Sequence, residues 1–494
     1  LAAFVTLVLT ACHAPADVLW VQLDDASTDA WPYYMPKTAS MLEGPHWYEF
    51  TQAVVQTPLC GPSRATDLTA QTVDHHGLTC HLNALVCPRW AQIRDQTFAE
   101  AVHDKGYRIG WYGKRTNWEH ECNGVDGSAQ GFPNLPGVED DRVQYHDTQE
   151  LYNNYTLVEN GVPVPYSVTT NPANYGTYRT AALASKGITN LCSGDDSCLI
   201  VWNPQAPHAP GTVAPDFDPT AVRSGLTKWS PAFNEGCPDA IDPSDRDKPW
   251  LLQHQWDLKD CLGTSSWMRS KYQGSLQAVD NRLPQLVQRF LSTSPGRPKR
   301  IIITSDHGLE LGNHGHTTKE VPYEASVRVP LFIYDSDHPG GTVDRLVSKL
   351  DLTPTIYDWT VAKPLLPPDG KSLVPLYTEA ASSWPTDTYI SHLRIQDGIW
   401  DVRPWHAIRQ DCAVVRPCYK LVRYPASTAP LADGTTISLG EEFELYDLSH
   451  DPWELTNLLP DTVTGYRGQP GWSMSNPIVV DLMKRLAAHE ASGK

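Results

Sequence analysis

The chain has 494 residues, 40% of them hydrophobic and 19% charged, enough to bury a large core and form a globular catalytic domain with a smaller appendage. Its net charge of −18 excludes a general nucleic-acid binder, because such proteins neutralise phosphates with surplus Lys and Arg. An anionic substrate would need a local basic pocket. The 17 Trp offer either stacking platforms for sugar or aryl rings or ordinary core packing.

In chain order, Leu1 to Ala11 is a short apolar run ending in Leu9-Thr10-Ala11-Cys12, which reads as a truncated export signal over residues 1–12. It is too short to span a membrane, and no other segment is long and apolar enough. Leu-Thr-Ala-Cys also resembles a bacterial lipoprotein cleavage site, which would place a lipid on Cys12. Val18 to Leu23 reads as a buried strand ending in Asp24-Asp25. Cys60-Gly61-Pro62-Ser63-Arg64 places a thiol before a helix whose first turn suits Pro62, with Arg64 one turn along. Thr97 to Lys105 has helical periodicity, and Tyr107-Arg108-Ile109 reads as a strand leading to Lys114. Two loops rich in Pro and Gly follow, Gly124 to Asp140 and Pro204 to Pro219, the second carrying His208. Tyr272 to Leu291 reads as helix, and Arg300 to Ser305 as a second buried strand, ending in Asp306-His307.

Both acidic strand ends lie where open α/β sheets place their ligands. The alternation of strands and helices predicts an α/β catalytic domain over 17–374. After Pro364 to Gly370 the pattern changes to short strands at Tyr389 to Leu393, Trp405 to Arg409, Tyr419 to Tyr424 and Glu442 to Leu448, then a helix from Ile478 to Glu490. This predicts a smaller C-terminal α+β subdomain over 375–494.

Besides Cys12 and Cys60 there are nine cysteines, and Cys80/Cys87, Cys192/Cys198 and Cys412/Cys418 are spaced as small disulfide loops would be. Nine is odd, and Cys122 is assigned as the unpaired one. No Cys-x-x-Cys pair is present, which argues against structural zinc. These cysteines agree with export: secreted, periplasmic or lipid-anchored at the cell surface.

A helix N-terminus at Cys60 would aim backbone N–H groups and a positive dipole at an anion beside the thiol. Taken alone, a buried Cys before a helix is a structural residue. The run Cys60-Gly61-Pro62-Ser63-Arg64, followed by Leu68-Thr69, is similar to the modification motif of the type I sulfatases, the formylglycine-dependent enzymes of the alkaline phosphatase-like superfamily. The family's Gly after Leu-Thr is Ala70 here. Phe233-Asn234-Glu235, Asp247-Lys248-Pro249, Ala278-Val279-Asp280, Asp351 to Thr355 and Glu444 to Leu448 look like further landmarks of the family, in order. The first two are most similar to the glucosamine-6-sulfatase and arylsulfatase branch.

The resemblance implies an alkaline phosphatase-like large mixed sheet flanked by helices. It implies that a formylglycine-generating enzyme converts Cys60 to formylglycine, whose hydrate is the nucleophile. It implies one divalent cation on Asp24, Asp25, Asp306, His307 and residue 60, with Ca²⁺ first and Mg²⁺ or Mn²⁺ as alternatives. Many members have Asn at the position of His307, and an imidazole also widens the range toward Zn²⁺. Lys114 and Lys319 match lysines that bind the sulfate, His208 matches the proton donor to the leaving group, and Arg64 lies beside the nucleophile. The family often has a His two residues after the first Lys; Thr116 stands there, and His314 and His316 are candidates for its role. The expected reaction is hydrolysis of a sulfated small molecule or sulfated carbohydrate. The competing readings are a phosphonate or phosphate ester hydrolase on the same site and a catalytically silent exported glycan-binding protein with unconverted Cys60.

Overall fold

The structure, a computed structural model, describes residues 15–28, 30–79, 83–117, 141–145, 152–209, 211–218, 271–311, 313–315, 319–381, 383–393, 403–430, 436–460 and 466–493. The expectations for residues 1–12, for the loop 124–140, for Cys80, the Cys87 side chain, Cys122, Cys237, Cys261 and His316, and for the landmarks at 233–235 and 247–249 fall outside these.

Ten strands form one sheet: β1 (Asp17–Leu23), β2 (Trp47–Val54), β3 (Arg108–Gly113), β4 (Asp141–Tyr145), β5 (Asn154–Glu159), β6 (Val162–Ser167), β7 (Cys198–Asn203), β8 (Lys299–Ser305), β9 (Leu331–Asp335) and β10 (Gly341–Ser348). Their order is β10-β2-β9-β8-β1-β7-β3-β4-β5-β6. The centre is parallel, β8-β1-β7-β3, while β9 runs antiparallel to both β8 and β2. The sheet is therefore the large mixed one expected, flanked by helices.

β1 is buried at all seven positions, which is why it reads as an unbroken apolar run rather than an alternation. Val18 and Trp20 enter one core, shared with Ala65 and Leu68 of the helix Cys60–Thr69 and with Phe98 and Val102 of the helix Phe98–Asp104. Leu19, Val21 and Leu23 enter the other core, under the helices Gly176–Leu191 and Leu283–Leu291. The predicted helix from Tyr272 to Leu291 is broken: residues 271–280 are helical, a turn follows, and the next helix starts at Leu283 with Pro284 in its first turn. Pro has no N–H to give there and costs nothing at such a start.

The C-terminal region forms a four-stranded antiparallel sheet, β11 (Asp387–His392), β12 (Trp405–Gln410), β13 (Tyr419–Tyr424) and, after the hairpin β14 (Ser427–Pro430) and β15 (Thr436–Leu439), β16 (Glu442–Asp447). The helix Pro477–Ser492 packs Val479, Leu482 and Leu486 on one face of it. Its other face shares a core with the ten-stranded sheet, since Trp405, Val422 and Tyr446 join the cluster that holds Val18 and Trp20. Cys192–Cys198 and Cys412–Cys418 are disulfide-bonded. Among the described residues no helix is long and apolar enough to cross a membrane.

Candidate active site

In-register pairing builds the site. β1 and β8 run side by side with Leu23 opposite Ser305, so the next residues, Asp24 and Asp306, emerge together at the carboxyl edge. β3 pairs with β7 with Gly113 opposite Asn203, which delivers Lys114 and the loop carrying His208 to the same edge. In a strand Asp24 and Asp25 would face opposite ways. Asp25 instead takes φ +69, which ends the strand and lets both carboxylates face Cys60, at 3.7 and 4.0 Å from its Sγ. This left-handed conformation is uncommon outside Gly, Asn and Asp.

Cys60 is the first residue of its helix, fully buried, and a free thiol. Lys319 Nζ donates to Sγ at 2.9 Å and to the Asp25 carboxylate at 2.7 Å. His307 Nε2 lies 3.1 Å from Sγ; its Nδ1 is 2.8 Å from the Gly308 carbonyl, to which it donates, and this turns Nε2 toward the cluster. Lys114 Nζ donates to Asp24 at 2.6 Å. Arg64 is wholly buried, with Nε 2.9 Å from Asp306 and Nη2 3.7 Å from Asp24. His208 sits at the open side, a quarter exposed, with Nε2 3.8 Å from Asp25. The structure thus brings together Asp24, Asp25, Cys60, Arg64, Lys114, His208, Asp306, His307 and Lys319. His314 lies instead against the Tyr323 ring at 4.3 Å.

Three carboxylates face three fixed cations here, Arg64, Lys114 and Lys319, and burial magnifies each contact. Burial, helped by Asp306, pushes the Asp24 carboxyl up to about 7 against the pull of Lys114. Burial also raises Asp306, but His307, Arg64 and the two lysines outweigh it and hold that carboxyl well below its usual range. The Cys60 thiol is pushed up by burial and pulled down further by Lys114, Lys319 and His307, ending well below a normal thiol. His307 is driven down by burial, yet Asp306 and Cys60 lift it to about 9. Cationic groups converge on residue 60 from several sides and would stabilise negative charge there.

The donor set fits a hard divalent cation. One ligand atom each from Asp24, Cys60, Asp306 and His307 lies within 4.8 Å of the others, and so does one each from Asp24, Asp25, Cys60 and His208. Clustered carboxylate oxygens plus an oriented imidazole nitrogen match Ca²⁺, Mg²⁺ or Mn²⁺ more closely than a thiolate-rich zinc centre.

Residues not singled out in the sequence support the cluster from behind. Lys349 Nζ pairs with Asp67 at 2.7 Å and reaches the Asp306 carbonyl at 3.2 Å, while Ser63 donates to that carbonyl at 2.5 Å. Asp67 also accepts from Gln22 at 2.8 Å. Ser63 lay within the motif, but the Lys349–Asp67 pair spans 282 positions and carries no local signal.

Comparison with known proteins gives one consistent picture. A sequence model of the family described as Sulfatase matches residues 16–362, and one described as N-sulphoglucosamine sulphohydrolase, C-terminal, matches 312–466. The extracellular sulfatase SULF-1 homologue of Drosophila melanogaster is 26% identical over 69% of this chain and 29% of its own. Human N-acetylglucosamine-6-sulfatase is 26% identical over 72% of this chain and 63% of its own. The chain thus spans less than two thirds of the length of these relatives. The structure of BT4656 with its substrate D-glucosamine-2-N,6-O-disulfate superposes with a TM-score of 0.66 over 97% of this chain and 98% of that one, at 19% identity.

Proposed function

The chain belongs to the sulfatase family, and from that premise we propose that it hydrolyses sulfate esters of carbohydrates, using a formylglycine made from Cys60 and a divalent cation held by Asp24, Asp25, Asp306 and His307. The observation that carries this reading is the placing of Cys60 at a helix start, with Lys319, His307 and two carboxylates within 4.0 Å of Sγ.

Cys60 Sγ stands in for the oxygens that formylglycine would place there. Formylglycine at residue 60 would supply a hydrated aldehyde there as the nucleophile toward sulfur. A cation held by Asp24, Asp25, Asp306 and His307 would supply positive charge beside the sulfate oxygens and the nucleophile. Lys114 and Lys319, beside Asp24 and Asp25, bind the sulfate oxygens and offset charge developing at sulfur. Arg64 stays on Asp306 and Asp24 and keeps both carboxylates aimed inward. His208, on the open side, donates a proton to the departing sugar oxygen. Asp25 and Asp24 favour its protonated form, lifting it above an ordinary imidazole against the downward pull of burial.

The first sugar to test is a 6-O-sulfated N-acetylglucosamine, after the human relative. Maturation requires a formylglycine-generating enzyme acting on Cys60. The two disulfides among the described residues and the extracellular relative support an exported protein. Mass spectrometry of the Cys60 peptide from active enzyme is expected to find formylglycine; an unmodified thiol would overturn the mechanism. Aryl sulfate is expected to be turned over faster than the matching aryl phosphate or phosphonate. The reverse order would make the chain a phosphorus-ester hydrolase, and no turnover of any of them would make it a binding protein.

A further inference from the structure

The segment that brings Lys319 to Cys60 is gripped from its far side by the C-terminal sheet. Lys319 is followed by Glu320, whose φ of +76 is left-handed. A non-glycine residue persists there only where its surroundings fix it. Both of its peptide groups are fixed. The Glu320 N–H donates to the Pro58 carbonyl at 3.1 Å, two residues before the nucleophile. The Glu320 carbonyl accepts from the indole N–H of Trp405, the first residue of β12, at 2.7 Å. Trp405 is fully buried.

Three residues on, the same sheet takes hold again. The Tyr323 hydroxyl donates to Glu444 of β16 at 3.0 Å. Glu444 is itself fully buried, and it also accepts from Tyr424 and Tyr446 at 2.7 Å each. A carboxylate held by three phenol donors has little freedom to move. A further contact joins β11 to the approach to Cys60, since Ser391 N–H donates to the Gln56 carbonyl at 2.9 Å. The four-stranded sheet is thus hydrogen-bonded to both segments that meet at the nucleophile, 56–60 and 319–323.

We propose that Trp405, seconded by Tyr323 on Glu444, is a positioning residue for Lys319: its indole N–H fixes the Glu320 peptide and thereby the reach of the lysine over residue 60. The inference rests on the reading that Lys319 binds the sulfate oxygens. It gives the C-terminal sheet a part in turnover although, among the described residues, the side chains hydrogen-bonded to Cys60 come from elsewhere.

Trp405→Phe removes the N–H and keeps the ring in the core. It is compared with Lys319→Met and with the double variant, using the full converted enzyme, with kcat and KM measured on 4-nitrophenyl sulfate and circular dichroism and melting recorded in parallel. Trp405→Phe is expected to lower kcat/KM about tenfold in the natural background, as small misplacement of a binding group does. In the Lys319→Met background it is expected to change it by less than about twofold, because contacting residues that act through one another are not additive. Tyr323→Phe should repeat the pattern, and it carries the test if Trp405→Phe does not fold. An equal loss in both backgrounds, or no loss in a folded variant, overturns the positioning role. A natural chain with no turnover of the ester overturns the activity itself, and the role of Trp405 with it.

Discussion

Two clusters of buried charge lie at the two ends of the segment 319–324, and they are built in opposite ways. At the Lys319 end, Asp24 and Asp306 crowd one another around Cys60, and burial lifts Asp24 to about 7. At the Glu324 end the charges close on each other. Glu324 takes Arg409 at 3.1 Å and Lys420 at 3.2 Å, Lys420 also reaches Glu454 at 2.5 Å, and Glu454 accepts the Glu324 backbone N–H at 2.6 Å. Arg409 and Lys420, with burial opposing them, hold the Glu324 carboxyl well below its usual range. Both clusters are out of water and both set carboxylates against cations, but the first borders the side where His208 is a quarter exposed, while the second is closed between the two sheets. A closed cluster ties two sheets together, whereas one beside an open side can take a ligand.

Substitutions at the two clusters should therefore diverge, most sharply at Asp24. Asp24→Asn should lower kcat by at least about 10³-fold, since it removes charge from the proposed cation site. In EDTA the same variant should melt close to the natural chain, because the Asn amide oxygen still accepts from Lys114 and the lost charge was one that burial disfavoured. A melting point several degrees lower would erase the contrast. Glu324→Ala should do the opposite kind of damage, costing about 3–5 kcal/mol in urea denaturation by leaving Arg409 and Lys420 buried without their carboxylate. A loss under about 1 kcal/mol would mean that desolvation cancels the attraction in this network.

The smallest effect is one of pH. Burial pushes Glu454 from 4.5 to about 7 despite the opposing pull of Lys420. The folded chain thus keeps a proton that the unfolded chain has released, so this contribution to stability is complete below about pH 4.5 and is lost as pH rises through 7. Glu454→Gln should flatten the dependence of melting temperature on pH across about pH 5 to 8. An unchanged slope would show that Glu454 is ionised throughout and that the network is fully charged.

What could be read in the sequence follows from how local each signal is. β1 and β8 show as unbroken apolar runs because both faces are covered, and their acidic ends mark the carboxyl edge without any knowledge of the partner strand. The helix at Cys60 shows through Pro62 and the motif. Ala70 shows only as a departure; the structure gives its reason for mattering, since it closes that helix with φ 59, a conformation that costs a non-glycine residue about 1–2 kcal/mol. Asp25 gives no sign that its backbone turns left-handed. The antiparallel β9, the Lys349–Asp67 pair and the grip of Trp405 on Glu320 are contacts between residues dozens to hundreds of positions apart, and periodicity is silent on these. Glu444 to Leu448 stood out as a landmark of the family, but a motif names residues without saying what they hold.

The parallel pairing of β1 with β8 has a consequence in time. The Asp25 N–H meets the Asp306 carboxylate across 281 positions, and His307 meets Cys60 across 247. At synthesis rates of about 5–20 residues per second, the ribosome needs roughly 12–50 s to go from Cys60 to His307. Throughout that interval the nucleophile segment exists without half of its pocket. In the finished fold the thiol is fully buried. If Cys60 is modified as proposed, an enzyme acting on it would meet an open thiol only before Asp306 and His307 close over it.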